Sequence, residues 1–123
     1  MKKAIAFFLL LTLAILTSAC ASGSNSAASS EPQVEPEAEL LIEATNYEFD
    51  QKVYHLKKDV PVQITFKNAE GNHGIIIPGL RVQLDGKKDS VVIVPKEAGE
   101  YEIACSIMCG SGHGSMASTL IVE

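Results

Sequence analysis

The residues best suited to chemistry lie close together near the end of the chain, between Cys105 and Met116. This segment carries two thiols, an imidazole and a thioether, from Cys105, Cys109, His113 and Met116, at intervals of four, four and three residues. Such soft and borderline donors suit copper. Glycines at positions 110, 112 and 114 allow tight bends, which a loop wrapped around an ion requires. The segment is therefore a candidate metal-binding loop.

A second imidazole for this loop would have to come from upstream in the chain. His73 lies in a glycine-flanked turn, whereas His55 lies in a strand-like segment without other donors nearby and is expected to be a surface or structural residue. Asn72 is a candidate to support His73 by hydrogen bonding, although Asn is also common in turns. Met108, between the cysteines, either packs under the site or faces outward, and the sequence does not decide between these positions.

The same residues allow other interpretations. Two cysteines in an exported protein usually form a disulfide, although a C-x3-C disulfide would be short. A zinc site with two Cys ligands and one His ligand is a second alternative. A single His or Met is often structural, and Met commonly fills space in a core. The joint spacing of the four side chains favours a metal site, and the thioether favours copper over zinc.

The pattern C-x3-C-x3-H-x2-M with an upstream loop histidine resembles the CuA motif of cytochrome c oxidase subunit II and of nitrous oxide reductase. The resemblance covers about residues 40–123, because the flanking strands also resemble a cupredoxin domain. It is strongest to small, secreted, oxidase-subunit-II-like cupredoxin proteins of bacteria. The resemblance implies two copper ions. It implies that Cys105 and Cys109 bridge them, that His73 and His113 each bind one, and that Met116 and the Ile107 carbonyl are axial ligands.

The chain departs from the oxidase pattern in three respects. Oxidase subunit II carries membrane helices before its copper domain, whereas a signal peptide is all that is expected here. Position 107 is Ile, where the oxidase commonly has Glu, and the chain contains no Trp that could admit electrons. We therefore expect neither the core subunit of a proton-pumping oxidase nor an enzyme, since no nucleophile–base pattern is present either.

The first nineteen residues are typical of a signal peptide. Lys2 and Lys3 precede a mainly apolar stretch, residues 4–16, that is too short to span a bilayer comfortably. The following Leu16-Thr-Ser-Ala-Cys20 resembles a bacterial lipobox, although Thr17 is unusual there. The sequence thus predicts lipidation at Cys20 and an extracytoplasmic protein anchored to the cell membrane. Ordinary cleavage near Ala19 or Ala21 is the alternative.

Residues 20–39 are small, polar and acidic and contain two prolines, which predicts a disordered linker between the anchor and the domain. The whole chain has a formal net charge of −5. Without Lys2 and Lys3, eight basic and fifteen acidic residues are left, a net charge of −7. This argues against nucleic acid as a partner, since phosphate binding needs positive charge.

Residues 40–123 alternate between apolar and polar side chains in many short segments. Val62, Ile64 and Phe66 alternate with Gln63, Thr65 and Lys67, which predicts a strand with one buried face. We predict eight strands, at 40–49, 53–58, 61–67, 73–78, 80–85, 89–94, 100–105 and 117–122. Short strands separated by turns predict an all-β, cupredoxin-like Greek-key β-sandwich.

Two functions of different classes follow from this sequence. The first is a tethered electron carrier that passes single electrons to or from a partner such as a c-type cytochrome or a terminal oxidase. The second is copper handling, either delivery to an oxidase or buffering. A thiol–disulfide function is disfavoured, because the C-x3-C spacing differs from C-x-x-C and the chain has no βαβ pattern.

Overall fold

The predicted alternation appears as strands in the computed structural model, which describes residues 33–123. Val62, Ile64 and Phe66 are buried, whereas Gln63 and Thr65 between them are only half-buried. The hydrophobic effect holds such one-sided strands against a second layer, because their apolar faces leave water together.

The described part of the chain contains nine strands and two short 3-10 helices. The strands are β1 Ala38–Thr45, β2 Glu48–Phe49, β3 Val53–Leu56, β4 Val62–Asn68, β5 Ile75–Ile77, β6 Val82–Leu84, β7 Ser90–Ile93, β8 Gly99–Cys105 and β9 Ala117–Val122. The 3-10 helices are Pro78–Leu80 and His113–Ser115. Between residues 33 and 123, no helix is long and apolar enough to cross a membrane.

The strands form two sheets. One has four strands in the order β2-β1-β4-β7, and the other has five in the order β3-β9-β8-β5-β6. Both are mixed, because β1 and β4 run parallel, as do β3 and β9, whereas the other pairs are antiparallel. The chain passes from one sheet to the other after β2, β3, β4, β6 and β7. The prediction of an all-β Greek-key sandwich is confirmed.

The hydrophobic core draws side chains from both sheets. Ile42 and Ile64 come from the four-stranded sheet, and Ile77, Ile103 and Leu120 come from the five-stranded sheet; all five are fully buried. Burying a side chain of this size contributes about 1.5–3 kcal/mol relative to leaving it exposed. The core therefore provides a rigid base for the loops at the ends of the strands.

The predicted strand 40–49 is in fact two strands. A turn at Asn46 and Tyr47 separates β1 from β2, and the two strands pair with each other through Ala44–Phe49 and Thr45–Glu48. β1 begins at Ala38, inside the segment predicted to be linker. The predicted signal peptide, Cys20 and the first part of the predicted linker lie outside the described residues.

The five-stranded sheet brings the two candidate ligand loops to one end of the sandwich. β5 pairs with β8 so that Ile75 lies opposite Cys105, and the Ser106 amide donates a hydrogen bond to the Gly74 carbonyl at 3.1 Å. His73 immediately precedes this contact. The loop after β8 returns as β9, with the Cys105 amide donating to the Met116 carbonyl at 3.1 Å. Both candidate ligand loops thus lie at one end of the sandwich.

The loop between β2 and β3 is held by the buried side chain of Tyr54. Its hydroxyl donates to Asp50 Oδ1 at 2.7 Å and accepts from the Gln51 amide at 3.3 Å. Burial raises the pKa of Tyr54 well above its usual range, and the hydrogen bond to Asp50 raises it further. The phenol is therefore neutral in the folded protein.

We predict that Tyr54→Phe lowers the free energy of unfolding by about 1–2 kcal/mol, because the Gln51 amide and Asp50 lose their partner. Urea unfolding at neutral pH would measure this. The matched control is Tyr101→Phe, which removes one exposed hydrogen bond to the Glu97 carbonyl and should cost less. Equal losses would contradict the role given to Tyr54.

The free energies of unfolding of the wild type and of Tyr54→Phe should become more similar at alkaline pH. A tyrosine in the unfolded chain ionises near a pKa of about 10, whereas the folded pKa of Tyr54 is higher. The stability that Tyr54 contributes is therefore fully present below pH 10 and is lost as the pH rises through its folded pKa. The difference between wild type and Tyr54→Phe should shrink in urea titrations above pH 10.

Candidate metal centre

The two thiols predicted to bind metal are neighbours in the structure. Cys105 ends β8 and is buried, and Cys109 is half-buried in the loop that follows. Both are free, and their sulfur atoms lie 3.6 Å apart, well beyond the roughly 2.05 Å of a disulfide bond. In this arrangement both sulfurs are available as ligands.

His73 completes a compact donor group with these thiols. Its side chain is 1% exposed, and Nδ1 lies 3.8 Å from Cys105 Sγ. One ligand atom from each of His73, Cys105 and Cys109 lies within 4.8 Å of the other two. A single ion, or a pair of ions, between these atoms would therefore contact residues from two separate loops.

His113 stands next to the second thiol. It begins the 3-10 helix His113–Ser115 and is half-buried, with Nδ1 3.7 Å from Cys109 Sγ. The four donors thus follow one another in the order His73, Cys105, Cys109, His113, with neighbouring atoms 3.8, 3.6 and 3.7 Å apart. Each cysteine has its own histidine.

The two residues predicted as axial ligands also lie at the loop. The Ile107 carbonyl oxygen is 3.2 Å from Cys105 Sγ. Met116 is 2% exposed and lies directly before β9, where its backbone carbonyl accepts the hydrogen bond from the Cys105 amide. All six predicted ligand residues are therefore among the described residues, whereas the predicted lipidation site, Cys20, lies outside them.

Three residues considered in the sequence analysis lie away from the donor group. His55 is on β3, more than half exposed, with Nδ1 3.3 Å from a Glu123 carboxylate oxygen. Asn72 is exposed and has no side-chain hydrogen bond within the described part of the chain. Met108 is 78% exposed, so of its two alternatives the outward position is the observed one.

Two neighbours of His73 were not predicted from the sequence. The Asn46 Oδ1 atom lies 2.9 Å from His73 Nε2, so the amide that supports the histidine is Asn46 and not Asn72. The Tyr47 ring packs edge-on against the His73 ring, with centroids 6.2 Å apart and planes at 85°. Both residues fell inside the predicted strand 40–49. The preference of Asn for turns was the signal that could have placed them in a loop.

The electrostatics of the site favour a bound cation. Burial raises the pKa of the Cys109 thiol, and the adjacent Cys105 raises it further through hydrogen bonding and charge repulsion. No Asp, Glu, Lys or Arg occurs between Ile103 and Val122, so this segment offers no fixed positive charge to stabilise two thiolates. A metal ion would supply that charge and displace the thiol protons.

The donor chemistry of these side chains fits copper. Thiolate sulfur, imidazole nitrogen and thioether sulfur are the ligands of copper electron-transfer sites. Zinc also accepts Cys and His ligands, but it is usually held by four of them in a tetrahedron, and it does not favour a thioether. The residues present therefore fit the metal expected from the sequence.

Comparison with known proteins defines the class. Residues 6–122 match the family described as a cupredoxin-like domain, so the chain belongs to the cupredoxin-like family. It is homologous to cytochrome c oxidase subunit 2 of Synechocystis sp., with 33% identity over 67 residues, and to an alternative cytochrome c oxidase subunit 2 of Bradyrhizobium diazoefficiens, with 28% identity over 72 residues. These matches cover 52% and 56% of this chain but only 20% and 26% of the relatives.

Solved structures agree with this assignment. The periplasmic domain of subunit II of a Bradyrhizobium japonicum cytochrome oxidase has the same fold, with a TM-score of 0.66 and 13% identity over 73% of this chain and 86% of that chain. A copper-binding protein in its apo form matches with a TM-score of 0.52 and 26% identity, covering 74% of this chain and 93% of that chain. The predicted cupredoxin-like fold and the oxidase subunit II resemblance are thereby confirmed.

We predict that His73→Ala weakens copper binding by more than the roughly 10–100-fold that losing a residue behind a ligand costs, because it would remove one of the expected ligands. A competition titration against a chromophoric copper chelator would measure the affinity. The matched control, His55→Ala, should bind copper like the wild type, since His55 lies on β3 and contacts Glu123. Weakened binding in His55→Ala with unchanged binding in His73→Ala would refute this ligand assignment.

Proposed function

We propose that the protein is an electron carrier with a dinuclear copper centre of the CuA type. The observation that carries the proposal is the unbroken row of four donors, His73, Cys105, Cys109 and His113, in which each thiol has its own imidazole. Two neighbouring thiolates can be shared by two ions, and one histidine then completes the coordination of each. The copper pair would supply one-electron chemistry by changing its oxidation state.

The axial positions would be filled by the remaining two residues. Met116 is buried directly before β9, and a weak thioether ligand there would tune the reduction potential. The Ile107 carbonyl lies beside Cys105 Sγ and would serve the second ion, which needs only a backbone oxygen at this position. Ile107, at the position where the oxidase motif commonly has Glu, would therefore still provide this ligand.

The scaffold suits electron transfer because it limits movement of the ligands. Cys105 is fixed at the end of a central strand, and backbone hydrogen bonds from Cys105 and Ser106 hold both ligand loops to the sheet. Little would need to rearrange when the charge of the centre changes. The partner would be a redox protein such as a c-type cytochrome or a terminal oxidase. Nucleic acid is disfavoured by the acidic chain.

Copper loading should give two copper ions per chain and a delocalised mixed-valence signal in electron paramagnetic resonance. Cys109→Ser should abolish that signal, because serine is a hard and poorly ionised replacement for a thiolate. Metal analysis and the spectrum of the loaded protein would test both statements. One copper per chain with an ordinary mononuclear spectrum would disprove the dinuclear centre while leaving copper binding in place.

Copper delivery is the second candidate function, and the exposure of the loop favours it. Cys109 and His113 are only half-buried, and Met108 between the cysteines is 78% exposed. A copper acceptor could therefore approach the ligands from this side. The glycines of the loop would also make it easier to open.

Mixing the reduced, copper-loaded protein with a copper-free acceptor would separate the two functions. A carrier should retain both ions, since losing them ends its function, and should exchange electrons with a cytochrome. Metal analysis of the separated proteins gives the distribution of copper, and stopped-flow absorbance gives the rate of electron exchange. Complete transfer of copper without electron exchange would favour delivery over electron transfer.

We further propose that the protein is held on the extracytoplasmic side of the membrane by lipid on Cys20, after removal of residues 1–19. The supporting feature is the lipobox-like Leu16-Thr-Ser-Ala-Cys20, followed by a polar stretch that would act as a tether up to the start of β1 at Ala38. Stable anchoring requires more than one acyl chain, as bacterial lipoproteins carry. The copper domain would then face its partner at the membrane surface.

Cys20→Ala should move the protein from the membrane fraction to the soluble fraction, because no acyl chain could be attached. Fractionation followed by immunoblotting would show the distribution, and mass spectrometry would identify the N-terminus. Cys109→Ser is the control, since it changes another cysteine without touching the anchor. Wild-type protein found mainly soluble, with an N-terminus after residue 20, would exclude lipid anchoring.

A further inference from the structure

The turn between β1 and β2, residues Asn46 and Tyr47, contacts both halves of the candidate metal centre. We propose that this turn is the positioning element of the site: Asn46 orients His73 so that Nδ1 faces the thiols, and Tyr47 holds the metal-binding loop against His73. The inference rests on the proposed function, because it concerns how ligands of that centre are held before metal binds. Neither residue would be a ligand.

Asn46 acts on His73 through a single hydrogen bond. Its Oδ1 lies 2.9 Å from His73 Nε2, and an amide oxygen can only accept, so the imidazole proton lies on Nε2. Nδ1 then keeps its lone pair, and Nδ1 is the atom 3.8 Å from Cys105 Sγ. A hydrogen bond to one ring nitrogen fixes which nitrogen is free for a metal, and it also fixes the direction of the ring.

Gly71 lies directly beside the hydrogen bond between Asn46 and His73. Its φ is +85°, and a Cβ there would lie 2.3 Å from Asn46 Oδ1 and 2.7 Å from His73 Nε2. Any side chain at position 71 would therefore displace one partner of the hydrogen bond. The turn before His73 thus leaves just enough room for the Asn46 amide to reach the ring.

Tyr47 extends the contact from His73 to the metal-binding loop. Its ring packs edge-on against the His73 ring, and the same side chain lies against two glycines of the loop. A Cβ at Gly112 would lie 2.3 Å from Tyr47 Cγ, and one at Gly110 would lie 2.6 Å from the Tyr47 hydroxyl oxygen. Gly114 differs, because a Cβ there would have no atom within 4 Å.

Together these contacts join three segments that are far apart in the sequence. Residues 46 and 47 connect β1 and β2 of the four-stranded sheet, whereas β5 and β8, which flank the two ligand loops, belong to the five-stranded sheet. The turn sets the distance between His73 and the loop in the absence of metal. A site held in its binding geometry loses less entropy when the ligand arrives, so it binds more tightly.

The test compares Asn46→Ala with Asn46→Asp and with the matched control Asn72→Ala, in the full-length protein. Asn46→Ala should weaken copper binding by about 10–100-fold, as losing a partner of a metal-binding histidine does. Asn46→Asp keeps an oxygen acceptor and should restore most of the affinity, and Asn72→Ala should bind like the wild type. A chelator competition gives the affinity, and urea unfolding of the copper-free proteins gives their stability.

A nitrogen-15 spectrum of the copper-free protein shows which ring nitrogen of His73 carries the proton. A merely structural role of Asn46 would not change this protonation site. In the wild type and in Asn46→Asp, His73 should carry its proton on Nε2, and the signal of this Nε2–H group should be protected from exchange with water. In Asn46→Ala this signal should be lost. A proton on Nδ1 in the wild type, or an unchanged signal in Asn46→Ala, would overturn the role of Asn46. Since no copper is present, this result stands even if the proposed copper function fails.

The role of Tyr47 is tested with a pair of glycine variants. Gly112→Ala should weaken copper binding, because the new methyl group pushes the loop away from Tyr47, whereas Gly114→Ala should have no effect. If Gly112→Ala fails to fold, Tyr47→Ala, which removes an exposed ring without adding bulk, makes the same comparison and should also weaken copper binding. Equal affinities in all these variants would overturn the role of Tyr47.

Discussion

Two thiols 3.6 Å apart, in a segment of twenty residues without a fixed charge, set the constraint on which the rest of the site depends. Two thiolates at this distance repel each other, and burial adds to the cost of charging them. Burial and the neighbouring Cys105 raise the pKa of Cys109, in keeping with that cost. A cation removes it, so the loop is arranged for a metal ion rather than for a pair of free thiolates.

The β-sandwich accommodates this constraint by placing the thiols at the end of a well-supported strand. β8 lies between β9 and β5 in the five-stranded sheet, so the backbone at Cys105 is fixed from both sides. Both ligand loops are joined to this sheet by backbone hydrogen bonds. Metal bound between them would in turn stabilise the fold, because the unfolded chain does not gather these ligands.

The comparisons with known proteins show how much of an oxidase subunit this domain shares. The chain spans about a quarter of the length of the curated relatives and has no Trp; its own loop combines two cysteines, a histidine and a methionine. The cupredoxin-like fold is found in proteins with different tasks, so function has to be argued from the site. In this protein the order of four donors and the exposure of the loop around them are the features that bear on function.

The sequence alone determined the features that depend on local pattern. Alternation at Val62, Ile64 and Phe66 predicted a buried strand face, and the close spacing between Cys105 and His113 placed three donors in one loop. Only the tertiary structure decided which atoms meet across the two sheets. Asn46 lies 27 residues from His73, and no local periodicity reports that contact, because it depends on how a turn of one sheet packs over a loop of the other. The proposed choice of Nδ1 as the free nitrogen has the same origin, whereas the split of the predicted strand 40–49 had a local signal in Asn46, because Asn favours turns.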